Sequence, residues 1–246
     1  MSSNYDTVEP SDKWVFDKTV TDCFENMLER SIPQYKVMRN CVTDLAFDAI
    51  TAKPRKQTFQ ILDLGCSNGL MLESLVSKFE QYELEHYGYY TGVDVSEPML
   101  DNARARFAEN SCVKILNLDL RESFPVGHYD CITSVLTLQF VPINYRQDII
   151  QRVYDNLASV NGTFLMVEKV LGNSAQLNNL FVSNYHRYKE QHGYSKEQIE
   201  RKKLSLEGVL VPVTNDWNIE LLKQAGFRQV DVFWRWMNFV GYIAIK

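Results

Sequence analysis

The segment Phe59–Gly69, FQILDLGCSNG, constrains this chain more than any other. An apolar run breaks there into Asp63, Gly65, Ser67 and Gly69, the pattern of a buried strand that turns sharply beneath a ligand. Two glycines and a small residue let backbone approach a bound group where larger side chains would collide. The spacing is G-x-x-x-G, without the third glycine of the G-x-G-x-x-G pyrophosphate cradle, so it favours a nucleoside that carries no diphosphate. Further along, YYTGVDVSEPM puts Asp94 at the end of a second strand, where one carboxylate can accept both ribose hydroxyl protons. Together the two features fit S-adenosylmethionine better than NAD.

A chain of 246 residues with 45% apolar composition can bury a large core, and one elaborated α/β domain over residues 1–246 is expected. A net charge of −5 argues against a generally basic surface, so nucleic acid is not an expected partner. Cys23, Cys41, Cys66, Cys112 and Cys131 are widely spaced, with no CxxC pair and no His/Cys cluster. That spacing predicts reduced thiols, a cytoplasmic setting and no metal site. The polar, acidic beginning and the absence of any long apolar run predict neither export nor membrane spanning.

The hydrophobic pattern alternates from Phe59 onward. It predicts strands over Phe59–Leu64, Tyr89–Asp94, Val113–Leu116, Tyr129–Val135 and Thr163–Glu168, with helices over Leu70–Phe79, Glu97–Phe107 and Tyr145–Leu157 between them. A helix over Trp217–Gln224, a cap at Gly226 and a strand pair, Gln229–Trp234 and Phe239–Ile245, end the pattern. Upstream, Phe16, Val20, Phe24 and Met27 share a helical stripe, and Met38, Val42, Leu45 and Ala46 mark a second helix after Ser31-Ile32-Pro33. This helical region, 10–55, either lids the cofactor or only covers a sheet edge. The region 174–210 reads as a helical insertion, which serves as a substrate cap, a dimerisation arm or both.

At DLGCSNG, GVDVSEPML, LTLQF and VEKV the chain resembles the class I S-adenosylmethionine-dependent methyltransferases and, more closely, the bacterial carboxy-S-adenosylmethionine synthases. The resemblance runs from about Trp14 to Lys246 and takes in WVFD, RSIPQY, HGYSKEQIE and KQAGF. It implies a Rossmann-like α/β sheet with an N-terminal helical lid and a helical insertion before the C-terminal strand pair. It also implies S-adenosyl-L-methionine as cofactor and a homodimer. Carried over from the family, Gly65 borders the methionine portion, Asp94 holds the ribose, Asp119 contacts adenine and Tyr35 faces the amino-acid or sulfonium side. Asp63 orients the turn or meets the methionine amine, and Cys66, Ser67, Val95, Leu120 and Val135 complete the expected cofactor-binding set.

Two positions depart from the family pattern. The synthases carry an Asn where this chain has Val135, and an Arg where it has Lys203, and in the family those groups recognise the extra carboxylate of the product. Valine cannot donate that hydrogen bond, and lysine lacks the bidentate guanidinium fork. The departures favour methyl transfer to a small-molecule acceptor. The alternatives are carboxy-S-adenosylmethionine synthesis from prephenate, for which Lys202, Lys203, Arg187 and Arg201 offer charge, and a non-catalytic cofactor-binding regulatory protein.

Catalysis would come mainly from alignment of nucleophile and methyl carbon. His186 is the expected base ahead of His128 and His192, because HxxYK lies on the predicted overhanging helix. Tyr185 and Tyr188 are expected to orient the acceptor, and Glu168 and Lys169 to shape its pocket. Trp14, Phe16, Phe140, Trp217, Trp234, Trp236 and Phe239 either build an apolar acceptor pocket or belong to the core.

Overall fold

The computed structural model describes residues 6, 8, 12–52 and 58–246. Residues 10, 11 and 53–55 of the expected lid region lie outside the described residues. Two helices open the fold, α1 (Lys18–Ser31) and α2 (Tyr35–Thr51). Then come β1 (Phe59–Leu64), α3 (Leu70–Glu80), β2 (Gly88–Asp94), α4 (Glu97–Arg106), β3 (Val113–Asn117) and β4 (Cys131–Val135). The chain continues through α5 (Ile143–Asn156), β5 (Thr163–Leu171), α6 (Ala175–Gln191), α7 (Lys196–Leu206) and β6 (Val213–Thr214). It ends with α8 (Asn215–Gln224), β7 (Gln229–Trp236) and β8 (Phe239–Ile245).

The sheet runs β3-β2-β1-β4-β5-β8-β7, with β6 paired to the end of β5. β1 to β5 are parallel, and β8 pairs antiparallel with both β5 and β7. Strand order reverses between β1 and β4, and a crevice opens beyond their carboxyl ends at such a switch point. The uninterrupted apolar runs of the central strands follow from burial on both faces. Ile61, Leu165 and Val167 pack with α2 and α3 through Met38, Val42, Leu72 and Leu75. The alternate residues Leu62, Leu64, Phe164 and Met166 pack with α5 and α8 through Ile149, Ile150, Val153 and Leu222.

Strand β4 is shorter than the pattern predicts, because Tyr129 makes only an isolated bridge to Leu157. β6 carries no alternating pattern of its own, being two residues long. Side-chain caps start five of the helices: Asp17, Ser96, Ser174, Ser195 and Thr214 each accept a backbone N–H of the first turn. A third apolar cluster joins α1 to α4 and α7: Trp14, Val20, Phe24, Met27 and Met99 pack there, with Phe140, Leu206 and Val209 against them. Helix α1 therefore meets α4 and the end of α7 in one apolar cluster.

The turn after β4 is held from the neighbouring strand. Glu168 of β5 is 3% exposed, and its Oε1 accepts the N–H groups of Thr137 (3.2 Å) and Leu138 (2.9 Å) while Oε2 accepts that of Gln139 (2.7 Å). Burial pushes this carboxyl up to about 7, against the three N–H donors and Arg146. The Glu168→Gln variant sets an amide donor against one of these donors. A loss of about 1–3 kcal/mol of stability is expected by urea denaturation, the usual cost of a buried polar group left unpaired.

Candidate active site

The crevice beyond β1 and β4 is a cavity of about 840 Å³. Its floor is the turn after β1. Gly65 sits at φ +72°, and a Cβ there would lie 2.2 Å from Thr137 Oγ1, so only glycine fits where the turns after β1 and β4 touch. Gly65 and Cys66 both donate backbone N–H bonds to the Val93 carbonyl, which ties the turn to β2. Cys66 is buried, and its Sγ lies 2.8 Å from where a Cβ on Gly92 would sit. Burial raises the thiol well above its ordinary range, which disfavours the thiolate, and Cys66 packs beneath the turn.

Two carboxylates stand on either side of this turn. Asp94 accepts the N–H groups of Ser67 and Ser96, each at 2.9 Å, one on each oxygen. A carboxylate has about four acceptor sites, which leaves lone pairs for a diol. Burial raises this carboxyl, and the backbone N–H groups of Ser96, Ser67 and Val95 pull it back. Asp63, 2% exposed, accepts the Thr133 hydroxyl at 2.7 Å on Oδ1, while its Oδ2 is buried with no hydrogen-bond partner. Burial pushes Asp63 up to about 7.

All ten residues of the expected cofactor-binding set line the cavity: Tyr35, Asp63, Gly65, Cys66, Ser67, Asp94, Val95, Asp119, Leu120 and Val135. Asp119 is engaged by Arg121, whose Nε lies 2.9 Å from both carboxylate oxygens, and this neighbour holds it below the usual carboxylate range. Tyr35 is buried, which raises its phenol, and the Arg39 guanidinium beside it pulls the other way. The orphaned Asp63 oxygen suits an ammonium, the open lone pairs of Asp94 suit a ribose diol, and the Gly65 turn leaves room for a thioether chain. This donor set fits S-adenosylmethionine.

The expected catalytic residues divide. Tyr185 lines the cavity and packs edge-on against Phe239, at 5.4 Å between ring centroids. Glu168 and His186 are not among the lining residues. Both oxygens of Glu168 face the Thr137–Gln139 turn, and burial together with Lys189 keeps the His186 imidazole below its ordinary range. Lys189 and Lys202 do line the cavity, and burial pushes the Lys189 amine down to about 7. Arg187, Arg201 and Lys203 are exposed, and Lys203 pairs with Glu200 at 3.0 Å. Of the aromatic set, Trp14, Phe16 and Phe140 wall the cavity, whereas Trp234 and Phe239 are in the core.

Neither Arg39 nor Lys189 stands out in the sequence. Arg39 lies four residues after Tyr35, hence on the same face of α2, which is the one signal that could have found it. Lys189 stands four residues after Tyr185 by the same rule.

An ammonium bound at Asp63 requires the carboxylate form, which the folded protein loses as pH falls through about 7. Titration calorimetry with S-adenosylhomocysteine should show affinity weakening below that pH, by up to about tenfold per unit for one linked proton. The Asp63→Asn variant should bind more weakly and flatten the profile; a flat wild-type profile would remove Asp63 from the ammonium site.

A family model described as "Methyltransferase domain" matches residues 61–159. The carboxy-S-adenosyl-L-methionine synthase of Methylococcus capsulatus is 36% identical over 238 residues, covering 96% of this chain and 94% of that protein. The carboxy-S-adenosyl-L-methionine synthase of Nautilia profundicola is 36% identical over 232 residues, 94% of each chain. In three dimensions the CurJ carbon methyltransferase superposes with a TM-score of 0.65 at 15% identity, over 92% of this chain and 57% of that one, a likeness of fold. Near-complete coverage by these relatives, on a sheet whose switch point carries the matching donor set, shows that this chain belongs to the carboxy-S-adenosyl-L-methionine synthase family of S-adenosylmethionine-using enzymes, on the class I methyltransferase fold.

Proposed function

We propose that this protein transfers the sulfonium methyl group of S-adenosylmethionine to a small-molecule acceptor that bears an acidic group. The observation that carries this reading is Val135, an apolar side chain in the cavity wall at the end of β4. A carboxylated sulfonium would need a donor at that point, and valine has none. Lys203, paired with Glu200 outside the cavity, does not replace it within this chain.

Bound S-adenosylmethionine would supply the methyl group. Asp94 and Asp63 would hold its two ends, and Asp119 and Leu120 would border the adenine. Trp14, Phe16 and Phe140 would exclude water, which strengthens every charge contact inside. Tyr185 would orient the acceptor, with Lys189 and Lys202 holding its acidic group. Helices α1 and α2 would act as the lid, and α6 and α7 as the cap. Rate enhancement would come from this alignment.

A second reading, carboxy-S-adenosylmethionine synthesis from prephenate, is favoured by the 36% identity over nearly the whole chain and by the two buried lysines, which suit an anionic substrate. Mass analysis of protein incubated with S-adenosylmethionine, with prephenate and with a panel of small acids and their matched amides, separates the readings. S-adenosylhomocysteine and a methylated acid are expected. Carboxy-S-adenosylmethionine with phenylpyruvate would establish the second reading instead.

The homodimer belongs to this proposal, as does the cytoplasmic setting read from the cysteine spacing. Leu177 and Leu180 of α6 and Leu204 of α7 are exposed apolar side chains on the insertion, suited to a partner copy. Among the described residues no helix is long and apolar enough to cross a membrane. Analytical ultracentrifugation should find a dimer, and the Leu180→Glu variant should shift it to monomer; a wild-type monomer at all concentrations would end this part of the proposal.

A further inference from the structure

We propose that Arg39 anchors the α-carboxylate of S-adenosylmethionine and so fixes the amino-acid half of the cofactor to helix α2. The inference rests on the S-adenosylmethionine reading and adds a residue to it.

The methionine portion is a zwitterion and needs an anion for its ammonium and a cation for its carboxylate. Asp63, with one oxygen buried and unpartnered, answers the first need. Among the described residues four cationic side chains line the cavity: Arg39, Arg121, Lys189 and Lys202. Arg121 is taken by Asp119. Lys202 lies 3.7 Å from the Asp6 carboxylate. Lys189 sits among the rings of the cap, 5.4 Å from the Tyr185 centroid and 5.2 Å from that of Tyr194.

Lys202 shares with Arg39 a buried donor that makes no hydrogen bond, but the Asp6 carboxylate already stands beside its charge. The Arg39 guanidinium stands 5.4 Å from the Tyr35 ring centroid, one helical turn along α2, and Asp63 is close enough to Tyr35 to raise its phenol. The Arg39 Nε is buried with no hydrogen-bond partner. Buried donors are nearly always paired, so a donor left open in a cavity wall marks where a ligand acceptor belongs. A planar guanidinium offers two parallel N–H bonds to a carboxylate, a match that a lysine cannot make. Arg39 on α2 and the orphaned Asp63 oxygen on β1 line one cavity and offer the two opposite charges that the zwitterion needs.

The test compares S-adenosylmethionine with decarboxylated S-adenosylmethionine, which lacks only the carboxylate, by titration calorimetry on wild type, Arg39→Met and Arg39→Lys. Wild type should prefer the full cofactor. Arg39→Met should weaken S-adenosylmethionine about 10- to 100-fold, the scale of a lost charge-assisted hydrogen bond, and leave the decarboxylated compound within about twofold. Arg39→Lys should fall between. Equal weakening of both ligands would make Arg39 a support of the lid and overturn the proposal, as would wild type that binds both compounds equally. Wild type that binds neither would overturn the S-adenosylmethionine reading itself. Should Arg39→Met unfold, the Arg39→Lys variant and the wild-type preference decide the matter.

Discussion

The contact between the turns after β1 and β4 is the constraint on which the site depends. Gly65 has no room for a side chain because Thr137 Oγ1 occupies that space and donates to the Leu64 carbonyl at 3.0 Å. The Thr137 turn is in turn held by three N–H bonds to Glu168. Three neighbouring strands, β1, β4 and β5, are thereby tied together near their carboxyl ends, through a turn and a short 3-10 helix over Leu138–Phe140. Rigid floors hold reacting groups within the small tolerances that group transfer demands.

Charge is layered above this floor. The acids Asp63 and Asp94 come from strand ends, whereas Arg39, Lys189 and Lys202 come from helices α2, α6 and α7. Burial raises Asp63 and lowers Lys189, each to about 7, so both groups titrate near neutral pH. A zwitterionic cofactor and an acidic acceptor would favour the charged forms, and binding would therefore be coupled to protons near neutral pH.

Much of this was legible in the residues. Strands β1 and β8 lie where the apolar pattern puts them, and Asp63, Gly65 and Asp94 meet at the crevice because strand ends in a parallel sheet are neighbours in space. Tyr35, 28 positions before Asp63 in the chain by their numbers, reaches the cavity because α2 packs across β4 and β5. The expected base His186 shows what pattern alone omits. It shares α6 with Tyr185 and Lys189, yet only those two face inward, and the helix rotation that decides this is set by packing of Tyr185 on Phe239. Glu168 likewise carries a strand-end position that suggests chemistry, while its two oxygens hold a turn.

Sequence by itself determined the α/β order, the glycine turn, the strand-end position of Asp94 and the family, because strand periodicity, glycine at positive φ and an acid at a strand end are local requirements written in adjacent residues. Tertiary structure alone decided which cations face the cavity, that Glu168 clamps the Thr137 turn and that Arg39 stands with an open donor beside Tyr35. Those facts depend on how helices rotate and dock on the sheet, which is fixed by contacts between residues far apart in the chain and leaves no periodic trace in the sequence.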